Sequence, residues 1–303
     1  MKKSNSISKS EIENILNNIN HERFKINENQ LGYYLAGLLE GDGNINIPSL
    51  GKTILLTATG NKRILNPRIT FTGDKKNLEL FVFLYDKLGK IGRFSKKGNI
   101  IRYIIGDIDS TIKIIELLHG KLRTPKNKTF NHLIKYYNNK LNLNILLSPL
   151  DNSSFEDNAW FAGIIEADGH FGVKVTDFKP KTDKTKRSRS ASVTLRFILQ
   201  QRAFDQPTQT DFYPIMTDLS KFLDCNLNHI KSSNMLSLEV SAINKLTKII
   251  NYFNNYPLIG VKYLDFKDWE TIYYLIIANN HTDKNTREYI KELKSNMNNS
   301  RKL

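Results

Sequence analysis

Residues 35–43 read LAGLLEGDG and residues 161–169 read FAGIIEADG. Gly37 and Gly163, Glu40 and Glu166, Asp42 and Asp168, and Gly43 and Gly169 are each offset by 126 positions, so the chain carries an internal repeat. In 303 residues such a repeat implies two related halves, each long enough to bury its own core.

The flanking patterns agree between the halves. Residues 30–40 read as a helix, and after Gly43 the period changes to two in Asn44-Ile45-Asn46-Ile47, as in 170–176 after Gly169. Residues 67–72 and 192–197 alternate again, each with one apolar and one polar, basic face. Helices are expected at 77–88 and 212–223, and short strands at 100–105 and 235–240. Each half therefore reads helix, two strands, helix, two strands, helix. The fold class is α+β, with two pseudo-twofold-related halves, each a twisted antiparallel sheet backed by helices. The expected domains are an N-terminal appendage at 1–30 with one marginal amphipathic helix, a first half at 31–137, a linker at 138–157 and a second half at 158–303.

Gly37 and Gly41 stand four apart on one helix face, matched by Gly163 and Ala167. Small residues at that spacing let two helix backbones approach, so the motif helices are expected to pack on each other and join the halves. Gly43 and Gly169 are expected as left-handed residues that end the helices. Asp42 and Asp168 then lie at the negative poles of two helix dipoles. Side by side, two carboxylates about 5 Å apart repel by roughly 3 kcal/mol at an effective dielectric near 20. Clustered hard oxygen ligands of this kind select a divalent cation such as Mg²⁺.

The partner is indicated by charge. Lys and Arg number 45 against 30 Asp and Glu, a formal charge of +15 that favours a polyanion. Nucleic acid is the leading partner and an anionic membrane surface the second; no run approaches the ~18 apolar residues of a membrane span, and the expected partner set includes no membrane. The single cysteine, Cys225, excludes an internal disulfide framework and a cysteine-rich zinc site. An abundance of Asn, Ile and Lys hints at an AT-rich, organellar coding genome.

The two nine-residue motifs closely resemble the LAGLIDADG motif of homing endonucleases, in the single-chain, two-motif form of fungal and organellar introns. The resemblance spans roughly residues 31–269. It implies a monomeric, site-specific endonuclease that makes a staggered cut in a long duplex DNA target by metal-dependent phosphodiester hydrolysis, with a mitochondrial location. It makes Asp42 and Asp168 the metal-binding and catalytic carboxylates, with Gly41 and Ala167 beside them in the metal set; Glu40 and Glu166 stand where the family motif has Asp and are read as structural residues near the helix ends, with metal ligation as their runner-up role. Mg²⁺ is the implied cofactor, with Mn²⁺ substituting and Ca²⁺ supporting binding without efficient cleavage. An intron RNA maturase of the same fold, with the chain's own intron RNA as partner, is the alternative; a DNA-binding regulator is disfavoured by two intact acids.

Each half also repeats a late segment, Gly120 to Lys126 and Tyr256 to Lys262, ending on a lysine before a helix. The resemblance places Lys126 and Lys262 near the scissile phosphates. It gives Gln201 the role of orienting the attacking water, whereas the matching stretch Thr72-Gly73-Asp74 has no glutamine. DNA contacts are expected from Asn44, Asn46, Arg68 and Thr70 in one half and from His170, Lys174, Thr176, Thr194 and Arg196 in the other, all on polar strand faces suited to base edges. Lys186, Arg187 and Arg189, in a basic loop, suit phosphates.

Overall fold

A computed structural model describes residues 6–20, 22–48, 54–56, 62–181 and 188–301. The first compact unit comprises residues 1–167 with 204–212, and the second 168–203 with 213–303. The boundary falls between the last two residues of the second motif helix.

The first unit begins with α1 (Lys9–Asn18), whose N-cap Ser8 accepts a hydrogen bond from the Glu11 N–H. The segment is no loose appendage: Ile7, Ile12 and Phe24 are buried, Arg23 pairs with Glu79 at 3.1 Å, and Phe24 lies 5.4 Å from Phe83 between ring centroids. The motif helix α2 (Glu28–Asp42) runs directly into β1 (Gly43–Asn46). A separate hairpin follows, β2 (Ile54–Leu56) with β3 (Lys62–Ile64), and then β4 (Arg68–Asp74). A 3-10 turn at Lys75–Asn77 leads into α3 (Leu78–Lys87), β5 (Arg93–Lys97), β6 (Ile100–Ile105), α4 (Ile108–Leu118) and α5 (Lys126–Leu141). The antiparallel sheet has the order β1-β4-β6-β5. Its inner face buries Ile69, Phe71, Phe94, Tyr103 and Ile105, with Phe94 stacked on Tyr103 at 5.1 Å.

The second motif helix, α6 (Trp160–Asp168), leads into β7 (Gly169–Thr176) and the long β8 (Ser192–Arg202). A small hairpin of β9 (Phe204–Asp205) and β10 (Thr210–Asp211) belongs to the first unit, where Lys128 donates to Thr210 Oγ1 at 2.5 Å. The second unit continues with α7 (Tyr213–Phe222), β11 (Leu227–Ile230), β12 (Met235–Val240), α8 (Ile243–Asn255), α9 (Val261–Ile277) and α10 (Lys284–Ser295). Its sheet has the order β11-β12-β8-β7 and repeats the antiparallel plan of the first. Phe171 is packed among Phe197, Phe253, Phe266 and Trp269, with centroids 5.5–5.9 Å away. Burying each such ring stabilises the unit by about 1.5–3 kcal/mol. β7 is tied to the C-terminal elements, because Trp269 Nε1 donates to Gly172 O and Asn298 Nδ2 to Phe171 O.

Three expectations are corrected. The linker does not begin at 138: α5 continues to Leu141 and ends at Asn142, which adopts the left-handed conformation and donates to Asn138 O. Against the three-helix pattern the first half carries one helix more, since α4 and α5 are separate, and the second carries two more, since α8 and α9 are separate and α10 follows. Gly43 is not left-handed but extended, at φ −88° and ψ 156°. The chain enters β1 without a turn, and glycine is needed for closeness: a Cβ on Gly43 would lie 2.4 Å from Leu39 Cδ1 and 2.6 Å from Leu39 O.

Candidate active site and nucleic-acid interface

The motif helices touch through their glycines. A Cβ on Gly37 would lie 2.1 Å from Trp160 O, and one on Gly163 would lie 2.0 Å from Tyr34 O. Because Tyr34 and Trp160 occupy the same place in the two repeats, the contact is reciprocal. Side chains on either helix would force the backbones apart, which is the physical reason for the small residues.

Glu40 and Glu166 belong to this contact. Glu40, 3% exposed, accepts hydrogen bonds from the backbone N–H groups of Arg123 and Thr124, from Thr124 Oγ1 and from Trp160 Nε1 at 2.6 Å. Burial pushes its carboxyl above the usual carboxylate range, opposed by these donors. Glu166 accepts from the Tyr34 hydroxyl at 3.1 Å. Thr124 and Trp160 thereby tie α2 to the turn before α5 and to α6. Arg123 fixes the following segment, pairing with Asp151 at 2.6 Å and donating to Ser153 O at 2.7 Å.

Asp42 and Asp168 end their helices, each one residue before a strand. Asp168 Oδ2 accepts from Gln201 Nε2 at 2.7 Å, so the sequence-predicted pair is together in the second unit. Lys126 opens α5 and turns its ammonium onto the end of α2, donating to Leu39 O at 2.7 Å, Glu40 O at 3.0 Å and Gly43 O at 2.6 Å. It caps the helix whose last residue is Asp42 and offsets the negative pole there. Lys262 lies in the first turn of α9.

The donors suit a hard cation. Each motif ends on a carboxylate with main-chain carbonyls near it, those of Leu39, Glu40 and Gly43 being held by Lys126 in the first unit, and no described residues form a group of three or more His, Cys, Asp or Glu side chains able to hold a metal. One carboxylate per motif leaves coordination positions for water and phosphate oxygens, which fits Mg²⁺ and does not fit zinc.

The expected DNA-contact residues divide by strand register. In the first sheet Asn44 lies opposite Thr70 and Asn46 opposite Arg68, with Asn44, Asn46 and Arg68 exposed. The same outward face carries Arg102, opposite both Thr72 and Ser95, and Arg93, opposite Ile104. Arg93 and Asn66 line a groove of about 540 Å³ with Asn46 and Arg68. Sequence reasoning missed Arg93 and Arg102, although both obey the period-two signal of their strands. In the second sheet Lys174 lies opposite Thr194, and Arg196, opposite Gly172, forms an ion pair with Glu239 at 3.5 Å. Partial burial, then the Lys262 charge, lowers the His170 pKa below its ordinary value, leaving a neutral imidazole near pH 7.

Thr176 is a correction: it is 8% exposed and not part of an open polar face. At this end of β7 the C-terminal helix packs down, with Lys291 of α10 bound to Asp177 at 2.9 Å. Arg189 is exposed and forms a bridge with Lys179 at the base of the basic loop. Lys186 and Arg187 lie outside the described residues. None of the described helices is long and apolar enough to cross a membrane.

The fold has solved counterparts. It is similar to a crystal structure of the LAGLIDADG homing endonuclease I-GzeII in complex with its DNA target, with a TM-score of 0.69, 19% identity, and coverage of 92% of this chain and 100% of that one. It is also similar to I-SmaMI bound to uncleaved DNA in the presence of calcium ions, with a TM-score of 0.66, 22% identity, and coverage of 90% and 99%. Among curated proteins, an intron-encoded DNA endonuclease of Saccharomyces cerevisiae is 29% identical over 280 residues, and a probable intron-encoded endonuclease of Neurospora crassa is 28% identical over 286. These alignments cover 83% and 93% of this chain but only 65% and 47% of the relatives' lengths. The LAGLIDADG endonuclease model matches residues 35–137 and 161–273, one motif in each stretch, and the chain belongs to that family.

Proposed function

We propose that the chain is a monomeric, site-specific endonuclease that binds a long duplex DNA target and hydrolyses one phosphodiester in each strand, in a staggered cut. The observation that carries this reading is the end of each motif helix. An acid stands there directly before a strand whose sheet turns polar and basic side chains outward. The outward faces, with Asn44, Asn46, Arg68 and Thr70 in one sheet and Lys174, Thr194 and Arg196 in the other, supply base-edge and phosphate contacts. Arg93 and Arg102 extend the first of these surfaces. The neutral His170 ring adds a side chain able both to donate and to accept.

Asp42 and Asp168, with main-chain oxygens of Gly41 and Ala167, would hold Mg²⁺, with Mn²⁺ as a substitute and Ca²⁺ supporting binding alone. A divalent cation at such a site supplies Lewis-acid stabilisation of phosphate charge and a more acidic bound water. Gln201, bonded to Asp168, orients the water in the second half. Lys126 and Lys262 contribute positive charge at the ends of the two halves' late segments. The functional halves are 31–142 and 158–303, joined by 143–157, with the first half carried past 137 to the end of α5. A mitochondrial location is supported by the named fungal intron-encoded relatives and by the Asn-, Ile- and Lys-rich composition.

The test is a randomised duplex library incubated with protein and Mg²⁺, followed by sequencing of the cut ends and by the Asp42→Asn and Asp168→Asn variants. Cleavage at one long site, abolished by either substitution while folding and Ca²⁺-supported DNA binding persist, is the expected result. A double variant that still cuts would remove both carboxylates from the mechanism. A wild-type protein that binds the target and never cuts would return the fold to a binding role.

A further inference from the structure

The registers of the two sheets put Gly73 and Gln201 at the same station. Gly43 pairs with Phe71, and Gly169 pairs with Leu199. Two residues further along each second strand, on the face that buries Phe71 and Leu199, stand Gly73 in β4 and Gln201 in β8. Gln201 uses its amide to reach the motif carboxylate of its half, Asp168, at 2.7 Å. Gly73 has no side chain with which to reach Asp42.

The space above Gly73 is filled by another amide. A Cβ at Gly73 would lie 2.6 Å from Asn77 Nδ2, 3.1 Å from Asn77 Cβ and 3.3 Å from Asn77 Cγ, its three nearest neighbours. The turn that brings Asn77 back is built for it: Asp74 accepts from the Lys76 N–H at 3.0 Å and starts the 3-10 turn Lys75–Asn77. Asn77 occupies the N-cap position of α3, yet its side chain makes no capping hydrogen bond. An N-cap asparagine ordinarily spends its side chain on that bond. Here the carboxamide lies over the strand instead, and a strand glutamine and this asparagine cannot occupy the position together.

We propose that Asn77 is the water-positioning residue of the N-terminal half, its carboxamide replacing from α3 the one that Gln201 supplies from β8. The proposal rests on the nuclease reading above and deepens it. The two halves would then use the same chemical group on different elements, Gln201 beside Asp168 and Asn77 beside Asp42. Asn77 donates through Nδ2 and accepts through Oδ1, as a residue must to hold a water in one orientation.

The experiment measures the cutting rate of each strand separately, on a duplex labelled at both ends, for wild type, Asn77→Ala, Gln201→Ala and the double variant Gly73→Gln/Asn77→Ala. Asn77→Ala is expected to slow one strand by about 10- to 100-fold, the usual cost of losing a supporting hydrogen-bond partner, and Gln201→Ala to slow the other. The double variant, which moves the amide back onto the strand, should restore the slowed strand. As a readout apart from activity, the Asn77 side-chain amide resonances, identified by their loss in Asn77→Ala, should shift when uncut target binds with Ca²⁺. Thermal midpoints should be equal across the set. Wild-type cutting with both strands unchanged in Asn77→Ala, or equal slowing of both strands without rescue, overturns the proposal. Absence of cutting by the wild type overturns the nuclease reading instead.

Discussion

Trp160 donates its indole N–H to Glu40 at 2.6 Å across the contact between α2 and α6, and Tyr34 donates its hydroxyl back to Glu166. The two aromatic donors occupy equivalent places in the repeat, as do the two acids. The sixth motif position is therefore a clasp between helices, whereas the eighth ends its helix directly before a strand. All the bonds to Glu40 come from donors, which makes the carboxylate hard to replace. Glu40→Gln would point an NH₂ group at N–H and O–H donors, leaving at least one buried polar group unsatisfied. A loss of about 1–3 kcal/mol is expected in urea unfolding. An unchanged unfolding midpoint would show that the clasp contributes nothing to stability.

Gly163→Ala tests the helix contact with a single methyl. The added carbon would start 2.0 Å from a backbone carbonyl oxygen, which cannot rotate aside as a side chain can. The expected loss is at or above about 3 kcal/mol, the upper end of ordinary overpacking. A variant with the wild-type midpoint would mean that the backbones part at little cost.

Much of this was legible in the sequence because it is periodic or repeated. The strands at Ile100–Ile105 and Met235–Val240 match their expected bounds, since alternation with an apolar inner face fixes strand and register together. The duplicated motif located the helix contact, and the resemblance singled out Gln201 and Asp168, whose hydrogen bond only the structure shows. What was not legible depends on contacts distant in sequence. Arg23 meets Glu79 and holds down the N-terminal segment, and Lys291 of α10 pairs with Asp177, next to the buried Thr176, after a separation of more than a hundred residues. The glycine at 43 was recognised but for the wrong reason, because composition does not distinguish positive φ from close approach. Asn77 left no motif signal, being four residues and one element away from the position it fills.

Binding should be strongly dependent on salt. Contacts with roughly 6–10 phosphates imply a log-log slope of the association constant on salt of about −5 to −9. Arg196→Ala should cost about 1–3 kcal/mol at one base pair and relax specificity there. Equal weakening on every sequence would make Arg196 a phosphate contact, and a slope near zero would remove the basic faces from the interface.

Asp107 gives stability a defined acid dependence. Burial pulls its carboxyl upward, but side-chain and backbone hydrogen bonds from Ser110 outweigh it and hold the pKa below its ordinary value. A depressed folded-state pKa stabilises the fold above the unfolded value and loses that stabilisation as pH falls through the folded one. Asp107→Ala, which removes the N-cap of α4, should cost about 1 kcal/mol at pH 7. The gap between wild type and variant should close on acidification below about pH 4. A gap that stayed constant down to pH 2 would separate the effect from ionisation.

Lys126 carries a prediction that distinguishes a structural charge from a purely catalytic one. Its ammonium donates three hydrogen bonds to carbonyls at the end of α2 and the start of β1, so the lysine completes the helix terminus that presents Asp42. Lys126→Met keeps the length of the side chain but removes every donor. Unfolding measured without DNA or metal should then show a loss of about 2–3 kcal/mol, the scale of hydrogen bonds to a charged group. Lys126→Arg should not rescue it, because a planar guanidinium cannot direct three protons at carbonyls gathered around one nitrogen. Cutting should fall in both variants, since the end of α2 that carries Asp42 loses its anchor. If Lys126→Met unfolded at the wild-type midpoint and lost only its cutting, the carbonyl contacts would be incidental, and the charge would act at the phosphate alone.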